Sequence, residues 1–164
     1  MLKDLRRHIM MQQGGAVLPE PDYQTGGYLP ETQFDLDSSF LPNNGRTISI
    51  YVRFVYQGNG VPARLLTNNG SNGWMFGYYG RGLTIKVNGI NITEQGASRC
   101  CIKITDGHAY YSLDGVTWTA TTRDFASIAY GYFRIHGKNV TTAMCDIRIW
   151  KDDLADMSSL FREP

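Results

Sequence analysis

Glycoside hydrolysis needs two carboxyl groups on one surface, about 5 Å apart for a retaining mechanism. The chain offers one pair at a spacing that a strand would turn to one face, Asp35 and Asp37. The same pair reads as a polar turn beside an edge strand, the ordinary place for surface carboxylates. The four glutamates, Glu20, Glu31, Glu94 and Glu163, all stand in loop-like or terminal contexts. His8, His108 and His136 are dispersed, and only Asp106 approaches ligand spacing to one of them. Asp106 is claimed by a turn with Gly107, so no zinc set emerges. Asp152, Asp153 and Asp156 could hold calcium or place negative charge at the start of a short helix. No Ser-His-Asp order, phosphate loop or dinucleotide fingerprint is present. The expectation is no catalytic residue, no metal and no required cofactor, with calcium left open.

Aromatic residues make the stronger case for a ligand. In GWMFGYYGRG, residues 73–82, a strand would place Trp74, Phe76 and Tyr78 on one face and Met75 and Tyr79 on the other. Flat rings stack on sugars, and Arg81 could bond hydroxyls or acidic groups. One of those faces would serve equally well as core. Trp74, Tyr78, Tyr79 and Arg81 are therefore the candidate glycan-binding set. Tyr110, Tyr111, Tyr130 and Tyr132 add rings that suit a protein interface.

These residues are positioned by short strands. Thr47–Tyr56 alternates Ile48, Ile50, Val52 and Phe54 on one face, and Leu83, Ile85 and Val87 do the same before an Asn88-Gly89 turn. Asp106-Gly107 and Asp114-Gly115 link 100–105, 108–113 and 116–121. Residues 129–136 and 141–150 complete the strong signals, with further strands near 33–36, 63–67 and 74–79. The C-terminal stretch alternates Cys145, Ile147 and Ile149 against Asp146, Arg148 and Trp150. It then gives a helical turn with Leu154, Met157, Leu160 and Phe161, which would seal the outer face of the last strand. About ten strands without an intervening helix predict an all-β antiparallel sandwich. With 16 basic and 15 acidic residues, the net charge of +1 gives no field for nucleic acid or anionic membrane. Cys100, Cys101 and Cys145 lack metal spacing and read as reduced core residues, the first two on opposite faces.

The ends differ in character. Residues 1–13 place Leu2, Leu5, Ile9 and Met10 close to one helical face, with Lys3, Arg6 and Arg7 elsewhere. A helix this short is unstable alone in water; it could lie on a membrane surface, but its length and few aromatics favour self-association or docking onto a larger assembly. Leu2, Leu5, Arg6, Arg7, Ile9 and Met10 are accordingly the candidate anchoring residues. Arg6, Arg7 and His8 interrupt any apolar run, so a secretory signal is not expected. Residues 14–30 are so rich in Gly and Pro that no regular element is expected, and they read as a linker. Residues 31–164 form the sandwich.

ISIYVRF, RLLTNNGSNGWMFGYYGRGLTIKVNG, IKITDGHAYYSLDGVTWTAT and MCDIRIWKDDLADM together resemble the concanavalin A-like, laminin-G-like jelly-roll superfamily over about residues 33–161. Glucan-cleaving members carry an E-x-D-x-x-E strand that is missing here. Laminin-G-like members often bind calcium. SLDGVTW, residues 112–118, resembles a sialidase aspartate box but is one residue short and occurs once. A hairpin turn at Asp114-Gly115 with Trp118 packed on the sheet explains it better. RRHIMMQQGG and GYLPETQFDLD resemble accessory virion proteins of tailed phages of gut bacteria. That resemblance implies a non-enzymatic head or tail fibre or decoration subunit, made in the host cytoplasm and carried in the virion. Its partners would be other virion proteins, a host-surface glycan and further copies of itself, commonly as a trimer. A bacterial lectin-like module is the alternative, and a glycoside hydrolase a further one.

Overall fold

The computed structural model describes residues 17–41, 46–56, 63–67, 74–79, 82–87, 90–95, 97–105, 108–121, 132–137 and 142–164. For 63–67, 74–79, 82–87 and 90–95 it describes the backbone pairing. The expected N-terminal helix and the anchoring residues Leu2, Leu5, Arg6, Arg7, Ile9 and Met10 lie outside these residues.

Twelve strands are seen among the described residues: β1 Tyr23–Gln24, β2 Phe34–Leu36, β3 Ile48–Tyr56, β4 Ala63–Thr67, β5 Trp74–Tyr79, β6 Gly82–Val87, β7 Ile90–Gln95, β8 Arg99–Ile104, β9 Ala109–Ser112, β10 Thr119–Ala120, β11 Phe133–Ile135 and β12 Thr142–Trp150. They form a front sheet, β1-β12-β3-β8-β9-β10, and a back sheet, β2-β11-β4-β5-β6-β7, with every pairing antiparallel. β12 lies between β1 and β3 while β11 lies between β2 and β4, so the two halves of the chain are wound into each other. The protein is an all-β antiparallel sandwich.

The alternation read from the sequence sets the faces. Ile48, Ile50, Val52 and Phe54 of β3, Cys100, Ile102 and Ile104 of β8, and Cys145, Ile147 and Ile149 of β12 meet Phe133 and Ile135 of the back sheet in the main core. Each such side chain contributes roughly 1.5–3 kcal/mol by leaving water. The outward residues form cross-strand rows: Trp150–Ser49–Lys103, Arg148–Tyr51–Cys101 and Asp146–Arg53–Arg99. This face is not left in solvent. Residues 151–164 fold over it, and Met157 and Leu160 join Tyr51, Cys101 and Trp150 in a second buried cluster. The Phe161 ring meets Tyr51 edge-on at 6.1 Å. Cys100 and Cys101 thus sit in different cores, and all three cysteines are buried and unpaired by disulfides.

Polar groups fasten the covering segment. The buried Ser49 hydroxyl donates to the Asp152 carbonyl at 2.7 Å and accepts from the Leu154 N–H at 3.0 Å. Arg99 donates to the carbonyls of Phe161 (3.0 Å) and Glu163 (2.7 Å), and Arg53 to that of Pro164. Arg148 holds the Glu163 carboxylate with two bonds, 2.9 and 2.7 Å, and Asp146 at 3.0 Å. Those carboxylates, Glu163 first, push the Arg148 guanidinium to an even higher pKa than usual. Burial pushes the Tyr51 phenol up to about 12, so its O–H stays protonated and donates to the Leu160 carbonyl.

Two expectations change. The stretch 17–30 is part of the sandwich: Tyr23 pairs with Ile149, Thr25 and Gly27 continue the bonding along β12, and Leu29 is in the core. Gly26 (φ 69°) and Gly27 (φ 102°) supply the left-handed backbone that lets so irregular a chain follow a strand. The expected strand over 116–121 shrinks to β10, because Asp114 draws the N–H groups of Val116 and Thr117 into its own turn. The hairpin from β6 returns as β7, a strand the alternation reading passed over.

Gly115 is the tightest backbone position described. Its φ is +82°, and a Cβ there would lie 2.6 Å from the Met157 carbonyl carbon and the Ser158 nitrogen. Gly26 has a similar φ and nothing within 4 Å of a Cβ. Gly115→Ala is expected to destabilise the domain by on the order of 3 kcal/mol, through strain and overpacking together. Gly26→Ala should cost about 1 kcal/mol, from the backbone alone. Urea denaturation of the two variants measures the difference.

Candidate functional site

The β9–β10 hairpin carries a groove of about 350 Å³ lined by Tyr111, Ser112, Leu113, Asp114, Thr117 and Thr119. Strand pairing sets Tyr111 opposite Thr119. The Tyr111 ring also packs against the main core, so the back of the groove is rigid. The turn is built by Asp114, whose Oδ1 accepts from the Ser112 hydroxyl (2.9 Å), the Val116 N–H (2.8 Å) and the Thr117 N–H (2.7 Å). The Ser112 hydroxyl accepts in turn from the Gly115 N–H at 2.8 Å. The bond from the Thr117 N–H, then the Thr117 side chain, the Val116 N–H and Ser112, hold the Asp114 carboxyl well below the usual carboxylate range. It is ionised at any ordinary pH.

The groove is locked from the other side by the covering segment. The Met157 N–H donates to the Gly115 carbonyl at 2.9 Å. Trp118 packs against the second cluster, the Lys103 ammonium sits 4.4 Å from its ring centre, and its indole N–H donates to the Ala155 carbonyl at 3.4 Å. Lys103 also reaches Asp153 at 2.6 Å. The result is one fixed ring, one fixed carboxylate, the hydroxyls of Thr117 and Thr119 and the half-exposed Leu113 around an open trough, with the Ser112 hydroxyl buried in the turn. Such a surface can stack against a sugar ring while its carboxylate and hydroxyls take the sugar's hydroxyl hydrogens. Among the described residues of its lining Asp114 is the one carboxylate, and these residues do not assemble the general acid and base pair of a glycosidase.

The sequence candidates separate as follows. Trp74, Tyr78 and Tyr79 lie on β5, an interior strand of the back sheet, where Trp74 pairs with Val87 and Tyr78 with Leu83 and Ala63. Their side chains, and Arg81 altogether, lie outside the description. Tyr110 and Tyr111 are in the front sheet while Tyr132 flanks β11 in the back sheet, so they do not form one surface. Asp35 is taken by Arg134 through two bonds, 2.7 and 3.0 Å. Asp37 caps the 3-10 turn Ser38–Phe40, accepting from the Ser39 N–H at 2.8 Å and from its hydroxyl. Asp156 likewise accepts from the Ser158 N–H ahead of the 3-10 turn Ser158–Phe161, and Asp153 holds Lys103. Among the described residues no three His, Cys, Asp or Glu side chains cluster as a metal site would need. The groove residues Tyr111, Asp114, Thr117 and Thr119 were open to sequence reading through the turn at Asp114-Gly115, which brings 111 and 119 together.

Fold and groove define an antiparallel β-sandwich with a polar, aromatic-backed trough on an edge hairpin. No family model matches the chain, and no curated protein matches it. Solved structures share the fold. A receptor binding domain aligns with TM-score 0.51 at 17% identity, over 79% of this chain and 38% of its own. A type C botulinum neurotoxin structure, described by dependence on interaction with two ganglioside molecules, aligns with TM-score 0.50 at 14% identity, over 90% and 45%. The binding domain of botulinum neurotoxin DC in complex with rat synaptotagmin II gives 0.49 at 16%, over 79% and 38%. The chain thus spans less than half the length of these proteins.

A carboxyl group that titrates lower in the folded than in the unfolded chain stabilises fully above its unfolded pKa, near 3.9, and loses that contribution as pH falls toward its folded value. Asp114→Ala should therefore melt lower than the parent at pH 7. The gap should hold down to about pH 4 and close below it. Thermal melts of the two proteins from pH 7 to pH 2 check this.

Proposed function

We propose that the domain is a glycan-binding β-sandwich module that acts by recognition and performs no chemistry. The observation that carries this reading is the β9–β10 groove: a ring seated on the core, a carboxylate held in its ionised form by the turn, and two threonine hydroxyls around an open trough. Such a combination suits a polyol that is held and released. The carboxylates examined as catalytic candidates are engaged elsewhere, Asp35 by Arg134 and Asp37 by its cap. Sandwich domains of this fold include a receptor binding domain and a neurotoxin domain described by its interaction with gangliosides. Shared fold does not carry function by itself, and the groove is what supports a glycan ligand.

The setting we propose is a tailed-phage virion, with this jelly roll displayed as a fibre or decoration subunit in a homo-oligomer. The support is the N-terminal sequence pattern, in which Leu2, Leu5, Arg6, Arg7, Ile9 and Met10 would dock on the particle. Trp74, Tyr78 and Tyr79 of β5, with Arg81, remain proposed contributors to a further glycan contact.

On a glycan array the full chain is expected to bind a restricted set of structures, and Tyr111→Ala to lower that signal at least tenfold with the fold intact by circular dichroism. An array signal equal to the parent's after Tyr111→Ala would sink the groove as the binding site. Deleting residues 2–13 should leave array binding unchanged and abolish incorporation into particles.

A further inference from the structure

A second cleft, of about 290 Å³, lies between the 18–24 passage and the C-terminal turn. Leu18, Pro21 and Leu160 give it apolar walls, and Glu20, Gln24 and Glu163 supply polar groups. It is built rather than incidental. Trp150, also in the lining and 2% exposed, donates its indole N–H to the Pro19 carbonyl at 2.9 Å, tying the two walls together. Glu163 is held by the two-bond contact with Arg148, so its carboxylate oxygens are fixed in the cleft with acceptor capacity to spare.

Ser159 supplies the independent sign of a ligand. It lines the cleft, is 8% exposed, and its hydroxyl is buried without a hydrogen-bond partner. Buried polar groups are almost always satisfied, and an orphan requires an explanation. A ligand hydroxyl in the cleft would provide the partner, reached by a change between staggered rotamers of the serine.

The lining also indicates the ligand class. Its fixed polar groups are mainly acceptors, which calls for a ligand rich in donors. Two carboxylates, those of Glu163 and the neighbouring Asp146, share the one guanidinium of Arg148, and Glu20 adds a further carboxylate to the lining. Arg99 does not line the cleft and directs its donors to the backbone carbonyls of residues 160, 161 and 163. An acidic sugar would be repelled. The volume suits one pyranose ring, with an apolar sugar face against Leu18 and Pro21.

We infer that this cleft, between residues 18–24 and the C-terminal turn, is a second carbohydrate site that takes a single neutral or amino sugar and excludes acidic ones. The ligand class rests on the glycan reading of the hairpin groove, but the residues are separate, so each can fail alone.

The test uses the full chain and methyl glycosides of glucose, galactose, N-acetylglucosamine, glucosamine and glucuronic acid, read by saturation-transfer NMR and calorimetric titration. The parent should bind at least one neutral or amino glycoside and not the glucuronide. Ser159→Ala should weaken that binding at least tenfold without lowering the melting temperature, because the hydroxyl it removes has no partner in the fold. Glu20→Lys, on the exposed rim, should weaken glucosamine binding at least tenfold, whereas Tyr111→Ala should leave the cleft's binding unchanged. Loss in Tyr111→Ala with parent-like binding in Ser159→Ala and Glu20→Lys overturns the cleft and leaves the groove. Preference for the glucuronide overturns the ligand class, and absence of binding to every glycoside overturns the site.

Discussion

The structure depends on one constraint: where β12, β3 and β8 run side by side, the front sheet must bury large side chains on both of its faces. The inner face is closed by the back sheet. The outer face carries Tyr51, Cys101 and Trp150, which cannot remain in water as a contiguous patch. Residues 151–164 cover it with Leu154, Met157, Leu160 and Phe161. Because this segment has little regular structure, its backbone groups need partners from the sheet. Ser49, Tyr51, Arg53 and Arg99 provide them, and Arg148 anchors the Glu163 side chain. The arginines therefore serve the fold first, and the basic row on this face is not an open anion site.

Covering that face leaves the concave surfaces of the described residues at its margins. The described residues present a groove on the β9–β10 hairpin and a cleft beside β1, and the C-terminal segment bears on both. Met157 contacts Gly115 beneath the hairpin turn, while Ser159, Leu160 and Glu163 form a wall of the cleft. A single strap thus fixes the shape of two candidate ligand surfaces. The Arg134–Asp35 pair across β11 and β2 is exposed, and solvent screening leaves it little weight in stability. The β2 edge is held chiefly by its backbone pairing and by Phe34 against Tyr23.

How much of this was legible follows from the range of each signal. Period-two alternation in β3, β8 and β12 assigned the inward residues correctly, since one buried face leaves a direct pattern. The Asp114-Gly115 pair located a turn for the same local reason. The stretch 17–30 misled because composition speaks only to regular structure: glycines at positive φ let an irregular chain bond to β12 through Thr25 and Gly27. β10 was overestimated because Asp114 competes for the backbone N–H groups that a longer strand would use. The aromatic run at 74–79 proved to be a strand at the expected bounds, yet periodicity alone cannot say which of its faces meets solvent.

By itself the sequence determined the fold class, which residues of β3, β8 and β12 share the inner face, and the absence of a recognisable catalytic motif, because each is written in local alternation and residue type. Only the tertiary structure decided that Asp146, Arg148 and Trp150 lie beneath the chain's own C-terminal segment, and that Tyr111, Asp114 and Thr119 line one groove. It also brought Ser159, Glu163 and Glu20 to one cleft. These are contacts between residues far apart in the chain, or across a turn whose geometry is set by a side chain. They are selected by burying a second apolar face, a requirement that no local pattern expresses.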